Sequence, residues 1–162
     1  MKKLILLRHG KAEYPDLDMD DYDRPLTERG KRNAAETGSF IYAQLASPPD
    51  LILSSEAKRA FKTAKLAAEQ MHYPIEKIKT ETGLYLVSAQ RTIKYIKLIP
   101  SEISSCLLVG HNPGLTDLVN HFGVRLDNLP TASAVCFEFD IENWQEISPE
   151  KAKFCWIELA KG

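Results

Sequence analysis

The chain has 162 residues, of which 44% are hydrophobic, and its formal net charge is −1. This length and composition suffice for one substantial core, so we expect residues 1–162 to form a single globular domain. A charge so close to neutral gives no field that would attract nucleic acid or an anionic membrane, and no apolar run approaches transmembrane length.

The first predicted element is a buried strand at residues 3–8, which leads into Arg8-His9-Gly10. The carboxyl ends of parallel strands open onto the ligand crevice, so Arg8 and His9 are expected at the mouth of a site. A guanidinium beside a neutral imidazole suits a phosphoryl group, because Arg binds its oxygens and an imidazole nitrogen can attack phosphorus. The tripeptide alone is better explained by a hydrogen-bonded structural histidine and a solvated arginine.

The next predicted elements are a helix that begins after Thr27, a strand at residues 51–53 and a second helix. Thr27 is a favourable N-cap, and small or apolar residues recur in both helices at the spacing of one buried face. Arg59 lies in the first turn of the second helix. Because Lys58 and Lys62 flank it, Arg59 alone is also compatible with a solvated helix face.

A weak strand at residues 78–82, a helix at 88–99 and an apolar strand at 106–109 continue the alternation. The apolar strand leads into His111 and a helix at about residues 115–122. A third turn between strand and helix therefore carries a chemically active side chain. Taken alone, His111 is also compatible with a histidine that only holds its own loop.

The tail contains two alternating runs, at residues 134–141 and 153–159, which predict an antiparallel strand pair. Together with the preceding strands and helices, they predict an α/β fold with three layers, α/β/α, and a mostly parallel central sheet. An odd set of cysteines in strand-like runs, Cys106, Cys136 and Cys155, is a poor disulfide framework. We therefore expect free thiols in a reducing cytoplasm, and the apolar run at the start is too short for a secretory signal.

The three turns are expected to converge. If the strands lie in one right-handed parallel sheet, their side chains meet at one edge: Arg8, His9, Arg59 and His111. Two arginines and two histidines repel one another unless an anion lies between them, so the set predicts a phosphate or a similar dianion. A metal site is disfavoured, because no third ligand lies at a useful spacing and the arginines oppose a cation.

Three motifs resemble, in order, the signatures of the histidine phosphatase (phosphoglycerate mutase-like) superfamily: Arg8-His9-Gly10, Ser54-Ser55 with Arg59-Ala60 and Thr63-Ala64, and Val109-Gly110-His111-Asn112. The likeness to the small SixA-type phosphohistidine phosphatases runs nearly end to end and includes Arg24-Pro25-Leu26-Thr27 and Thr131-Ala132-Ser133-Ala134. The resemblance implies that His9 is a nucleophile, phosphorylated in the reaction, and that Arg8, Arg59 and His111 form the phosphate pocket. Electrostatic binding of the phosphoryl oxygens requires no cofactor and no metal.

The chain departs from the wider superfamily in two respects. Mutase-like members follow the first motif with a small hydroxyl residue and an Asn, where this chain continues with Lys11. They also carry an insertion that roofs the site and helps to supply an acidic proton donor, whereas residues 81–104 hold one helix and little else, so no large lid is expected. Glu81 is the carboxyl group nearest to such a donor, and Glu13 and Glu28 are better explained as surface carboxylates.

The expected function is a phosphatase with a phospho-His9 intermediate, acting on protein phosphohistidine. A phosphohistidine leaves through an imidazole nitrogen and does not depend on a buried acid, whereas an ester leaves as an alkoxide. A phosphatase for a small phosphorylated metabolite, or for phosphoserine and phosphothreonine, is the alternative enzyme. A non-catalytic phosphate-binding module is the alternative from another class, and a metal-binding protein is more distant.

Overall fold

The computed structural model describes residues 1–161. Within them the strands are β1 (Lys2–Arg8), β2 (Leu51–Ser55), β3 (Lys79–Glu81), β4 (Ser105–Gly110), β5 (Ala134–Phe139) and β6 (Ala152–Glu158). The α-helices are α1 (Glu28–Leu45), α2 (Lys58–Gln70), α3 (Ala89–Lys97) and α4 (Gly114–His121). None of the helices in this part of the chain is both long and apolar enough to span a membrane.

The strands form one mixed sheet in the order β3-β2-β4-β1-β5-β6. The first four strands of the chain run parallel to one another, and β5 is antiparallel to both of its neighbours, β1 and β6. The predicted mostly parallel sheet with an antiparallel C-terminal pair is thereby confirmed. Because β1 lies between β4 and β5, both of its edges are hydrogen-bonded. Its sequence is continuously apolar because both of its faces are also covered.

Helices cover both faces of the sheet, which confirms the three-layer α/β/α architecture. Successive side chains of a strand point to opposite faces, and β1 divides its apolar residues accordingly. Leu4 and Leu6 pack with residues of α3 and α4, whereas Ile5 and Leu7 pack with residues of α1 and α2. All four leucine and isoleucine side chains are 0% exposed, so the core lies on both sides of this strand.

Helix α1 begins as the sequence predicts. Thr27 is its N-cap, and the Thr27 hydroxyl oxygen accepts a hydrogen bond from the amide of Gly30 at 2.9 Å. The helix then packs tightly on α2 at Gly38, where an added Cβ would lie 2.6 Å from the Cα of Ala67. The small residues of the predicted buried faces therefore let the two helices approach closely.

Most element boundaries differ from the sequence prediction by one or two residues, and in two elements the local reason is visible. Strand β3 is shorter than the predicted 78–82, because 3₁₀ turns at Ile75–Lys77 and Thr82–Leu84 enclose it. Helix α3 begins after Ser88, whose hydroxyl oxygen accepts a hydrogen bond from an amide in the first turn and so acts as the N-cap.

Candidate active site

A pocket of about 430 Å³ opens where the parallel strands β1 and β4 end and α2 begins. It brings together the side chains that the sequence singled out: Arg8, His9, Arg59 and His111. The rings of His9 and His111 lie 5.2 Å apart, centroid to centroid. The expected convergence of the three turns is therefore present in the geometry.

The imidazole of His9 is 8% exposed and is held by its own loop. Its Nδ1 hydrogen-bonds the carbonyl oxygen of Gly10 at 2.7 Å, and because a carbonyl only accepts, Nδ1 carries the proton. Burial is the main reason why the pKa of His9 is lowered to about 3; nearby cationic groups add to the effect and the Gly10 bond opposes it. His9 is therefore neutral near pH 7, with the lone pair on Nε2.

The backbone after His9 is fixed against α2. The amide of Gly10 donates to the Thr63 hydroxyl oxygen at 2.9 Å, and that hydroxyl donates to the carbonyl oxygen of Arg59 at 2.8 Å. Gly10 also packs on the first turn of α1, where an added Cβ would lie 2.7 Å from the carbonyl oxygen of Gly30. The glycine of the first motif is thus required by close backbone approach, and Thr63 links the loop of His9 to the helix that carries Arg59.

Arg59 is 3% exposed, which excludes a solvated helix face. Its Nε donates towards the Nε2 of His9 at 3.4 Å. Its Nη1 donates to the carbonyl oxygen of Asp21 at 2.6 Å, and its Nη2 donates to the Asp21 carboxylate at 3.0 Å. The end of the guanidinium is thus bound to Asp21, while its Nε lies next to the free nitrogen of His9.

Two buried polar atoms at the pocket have no hydrogen-bond partner within residues 1–161: Arg8 Nε and His111 Nδ1. His111 Nε2 lies 2.8 Å from the Ser55 hydroxyl, which already accepts from the amide of Ala57. If the Ser55 hydroxyl donates to Nε2, the ring proton lies on Nδ1 and is available to a ligand. Burying unpaired donors is costly, and an oxyanion in the pocket would satisfy both.

His111 is also neutral near pH 7. Burial, followed by the positive charge of Arg59, lowers its pKa to about 4. Besides these two neutral imidazoles, the pocket is lined by four cationic side chains, Arg8, Lys11, Arg24 and Arg59, and by one carboxylate, Asp21. The excess of positive charge favours a dianion, and a neutral histidine nitrogen is able to attack it.

The sequence reasoning missed Asp21 and Tyr85. The Asp21 carboxylate accepts hydrogen bonds from the Tyr85 hydroxyl and from Arg24, in addition to Arg59. The Tyr85 bond, followed by those from the two arginines, holds the pKa of Asp21 well below its usual range. Asp21 is therefore an ionised carboxylate. Its only sequence signal was its place just before Arg24-Pro25-Leu26-Thr27, within an acidic run of similar residues.

The carboxyl groups considered as proton donors lie elsewhere. Glu81, at the end of β3, is 3.8 Å from Lys79 and borders a separate groove with Leu53 and Tyr95. Glu28 pairs with Lys31 at 3.3 Å, and Glu13 is exposed. The position of Glu81 therefore gives no support to a proton-donor role.

The rim of the pocket is low and partly apolar. Tyr14, 85% exposed, and Leu86, 51% exposed, border its mouth. Leu86 belongs to the segment that was expected to contribute little beyond one helix; it follows the 3₁₀ turn at Thr82–Leu84 and reaches the pocket. A short loop thus forms the wall of the pocket on this side.

We expect phosphate, vanadate or tungstate to bind between Arg8, Arg59 and the two histidines, and activity to survive EDTA. Within residues 1–161, no group of three or more His, Cys, Asp or Glu side chains could hold a metal ion. Titration calorimetry tests the first expectation by comparing the affinity of tungstate for the native protein with its affinity for Arg8→Ala. An anion located elsewhere by co-crystallisation, or chelated enzyme that recovers only with added metal, would contradict this interpretation.

The free energy of unfolding should fall as the pH is lowered from 7 towards 4. An unfolded histidine titrates near pH 6.5, whereas folded His9 and His111 stay neutral down to about 3 and about 4. The unfolded state therefore binds more protons in this window, and each histidine costs up to about 1.4 kcal/mol per pH unit. Urea unfolding at several pH values should show a smaller slope for His9→Asn and an unchanged slope for the exposed control His121→Asn. Equal slopes for all three proteins would contradict the assignment.

Comparisons with known proteins identify the family and the fold. The model of the histidine phosphatase superfamily (branch 1) matches residues 4–84. An uncharacterized chloroplastic protein of Arabidopsis thaliana is 30% identical over 153 residues, which cover 90% of this chain and 70% of the relative. The mitochondrial serine/threonine-protein phosphatase Pgam5 of Drosophila persimilis is 35% identical over an alignment of 188 positions, which covers 98% of this chain but 59% of the relative. A solved structure of the protein histidine phosphatase SixA with tungstate has the same fold, with a TM-score of 0.81, 19% identity, and coverage of 98% of this chain and 96% of that chain.

Proposed function

The chain belongs to the histidine phosphatase superfamily (branch 1), and from this premise we propose that it hydrolyses phosphoryl groups through a covalent intermediate on His9. The observation that carries the proposal is the nitrogen His9 Nε2. It belongs to a buried, neutral imidazole whose other nitrogen is bound to the Gly10 carbonyl, and Arg59 Nε lies 3.4 Å away. This is an activated nucleophile beside a donor for phosphoryl oxygens.

The reaction proceeds in two displacements. In the first, the lone pair of His9 Nε2 forms the bond to phosphorus while the bond to the leaving group breaks, and the leaving group takes a proton from solvent. The His9 ring then carries a positive charge, which the hydrogen bond from Nδ1 to the Gly10 carbonyl stabilises. In the second, water attacks phosphorus, the bond to nitrogen breaks with its electron pair returning to His9 Nε2, one proton of the water goes to solvent, and inorganic phosphate leaves.

The other residues of the pocket act on the phosphoryl oxygens. Charge spreads over these oxygens in the transition state, so fixed donors supply most of the rate enhancement. Arg59 offers Nε, and Arg8 Nε is a buried donor that has no other partner among residues 1–161. His111 Nδ1, which also has no partner there, donates to a phosphoryl oxygen when Nε2 accepts from the Ser55 hydroxyl. We assign the phosphate-binding role to these three residues.

Protein phosphohistidine is the substrate class that the pocket favours. Within the described residues, Asp21 is the one carboxyl group that borders the pocket, and its pKa is held well below its usual range. It cannot protonate an alkoxide near pH 7. An imidazole leaving group accepts its proton from solvent more readily, so the lack of a buried acid penalises phosphohistidine least.

The rim supports a protein rather than a metabolite as the carrier of the phosphate. Exposed Tyr14 and Leu86 border an open mouth. A small ester therefore gains little binding energy away from its phosphate, whereas a folded protein can contact the surrounding surface.

The free cysteines are compatible with the cytoplasmic location expected above, which stays a prediction.

The test is a comparison of kcat/KM for a phosphohistidine protein, a phosphoserine peptide and a glycerate phosphate. We expect the phosphohistidine protein to be preferred at least about tenfold, or about 1.4 kcal/mol in the barrier. Glu81→Gln serves as the matched carboxylate control, and it should change none of the three values.

Each of the other possible outcomes supports one of the alternative functions. Turnover of the glycerate phosphate with phosphohistidine left intact would assign a metabolite substrate, and equal turnover of the phosphoserine peptide would assign a phosphoserine or phosphothreonine phosphatase. Tight phosphate binding without turnover of any substrate would assign a binding module.

A further inference from the structure

A groove lined by lysines adjoins the pocket, between the first turn of α1 and α2. Its volume is about 340 Å³, and apolar side chains contribute to it: Pro25, Leu26 and Phe61. The lysines that line it are Lys31, Lys58, Lys62 and Lys65. The two chain segments that form the groove continue directly into residues of the pocket, since Pro25 follows Arg24 and Lys58 precedes Arg59.

The positive charge of this groove is concentrated and largely unneutralised. Lys58, Lys62 and Lys65 recur at i, i+4 and i+7 on one face of α2, a spacing at which like charges destabilise a helix. Lys31 pairs with Glu28 at 3.3 Å, whereas none of the three α2 lysines forms an ion pair within residues 1–161. The arrangement weakens the helix in the free protein, and an anionic ligand would reverse that effect.

We propose that the lysine groove binds an acidic segment of the protein substrate, next to the phosphorylated side chain that enters the pocket. This inference rests on the proposed function. Lysines around an apolar surface suit a peptide that carries carboxylates together with an apolar side chain. Nucleic acid and membranes are bound by a broader positive field, which a chain of net charge −1 does not offer.

Paired peptides test the groove. One phosphohistidine peptide carries Asp and Glu beside the histidine, and its partner carries Asn and Gln. We expect the triple variant Lys58→Gln/Lys62→Gln/Lys65→Gln to raise KM for the acidic peptide at least about tenfold, with kcat within about twofold, and to leave the neutral peptide unchanged. About 0.5 M NaCl should abolish the difference between the peptides. The matched control removes three charges from α3, on the opposite face of the sheet: Arg91→Gln/Lys94→Gln/Lys97→Gln.

Fluorescence anisotropy of the acidic peptide measures its binding to the groove independently of turnover. Lysine-dependent binding without hydrolysis of either peptide supports the groove and contradicts the proposed function. Hydrolysis of both peptides with equal KM in native and triple variant overturns the groove and leaves the function standing. Lysine-dependent binding of duplex RNA or phosphatidylserine vesicles, with the acidic peptide unbound, also overturns the proposal. Lys62→Gln alone repeats the measurement if the triple variant does not fold.

A second proposal comes from the contacts of Arg59 and is independent of the groove. Asp21 binds the end of the Arg59 guanidinium with both its carbonyl oxygen and its carboxylate. Arg24 donates to the other carboxylate oxygen at 2.9 Å, and Tyr85 donates to the oxygen that Arg59 shares. With its end occupied, Arg59 presents Nε to His9 Nε2. We infer that Asp21 is a positioning residue, which holds Arg59 so that this edge faces the phosphoryl group on His9; the inference rests on the proposed function.

A double-mutant cycle tests this role. Asp21→Asn should lower kcat about tenfold with little change in KM, because the misplaced Arg59 affects the transition state more than the initial complex. In an Arg59→Ala background the same substitution should slow the reaction no further. The exposed neighbour Asp23 supplies the control, Asp23→Asn, which should match the native protein. Equal losses in both backgrounds would show that Asp21 acts on something other than Arg59, and absence of turnover by the native protein would instead contradict the proposed function.

Discussion

His9→Ala should lose at least about four orders of magnitude in kcat, because the covalent route depends on one ring nitrogen. The native protein, quenched during turnover, should carry phosphate on His9 that is stable to alkali and labile to acid, which mass spectrometry of the peptide containing residue 9 can locate. Circular dichroism checks that the variant is folded.

A matched histidine substitution separates this effect from a general loss of stability. His121, at the exposed end of α4, lies outside the pocket, so His121→Ala should keep native kcat. Substantial activity in folded His9→Ala, or labelled phosphate on a different residue, would remove the nucleophile from the proposed mechanism.

Arg59→Ala should lower kcat by about 10²- to 10³-fold, or about 2.7 to 4 kcal/mol, the range for one donor to developing charge in a buried site. The loss has two sources: the donor next to the reacting nitrogen disappears, and the Asp21 carboxylate loses a cationic partner at the pocket. Arg59→Lys should recover only part of the rate, because a lysine cannot bind Asp21 and the phosphoryl group through one planar fork.

Stopped-flow measurement of phosphoenzyme formation provides the readout for this variant, with Arg91→Ala on α3 as the control. The loss should appear in the rate of phosphorylation of His9. A native rate in Arg59→Ala would make the contact with His9 incidental.

The fold and the convergence of the site were predictable because both follow from local patterns. The apolar runs of β1 and β4 are typical of buried strands, and each is followed by a histidine at the edge where parallel strands end. The presence of Arg59 in the site was predictable from its place in the first turn of α2 alone. These residues meet once the strand order is parallel, whatever the details of the loops.

The supporting residues were not predictable in the same way. Asp21 contacts Arg59 across 38 positions of sequence. It lies in an acidic run in which several other aspartates offer the same side chain, so the sequence pattern does not single it out. Tyr85 lies in an irregular segment with no periodicity to orient it. Glu81 was considered because of its place in the chain, but β3 directs it to a different groove. Contacts between loops depend on backbone conformations that hydrophobic patterns do not encode.

Because β1 is central in the sheet, the backbone at its carboxyl end is held more firmly than the exposed rim of the pocket. The amides of Arg8 and His9 donate to the carbonyl oxygens of Ser133 and Gly110, both at 3.1 Å, so the chain beneath the reacting nitrogen is bonded on each side. Such amides exchange with solvent deuterium only when the sheet itself opens. By contrast, residues 14–18 are exposed, and Tyr14 among them borders the pocket. We therefore expect slower amide exchange at Arg8 and His9 than on the rim at Tyr14.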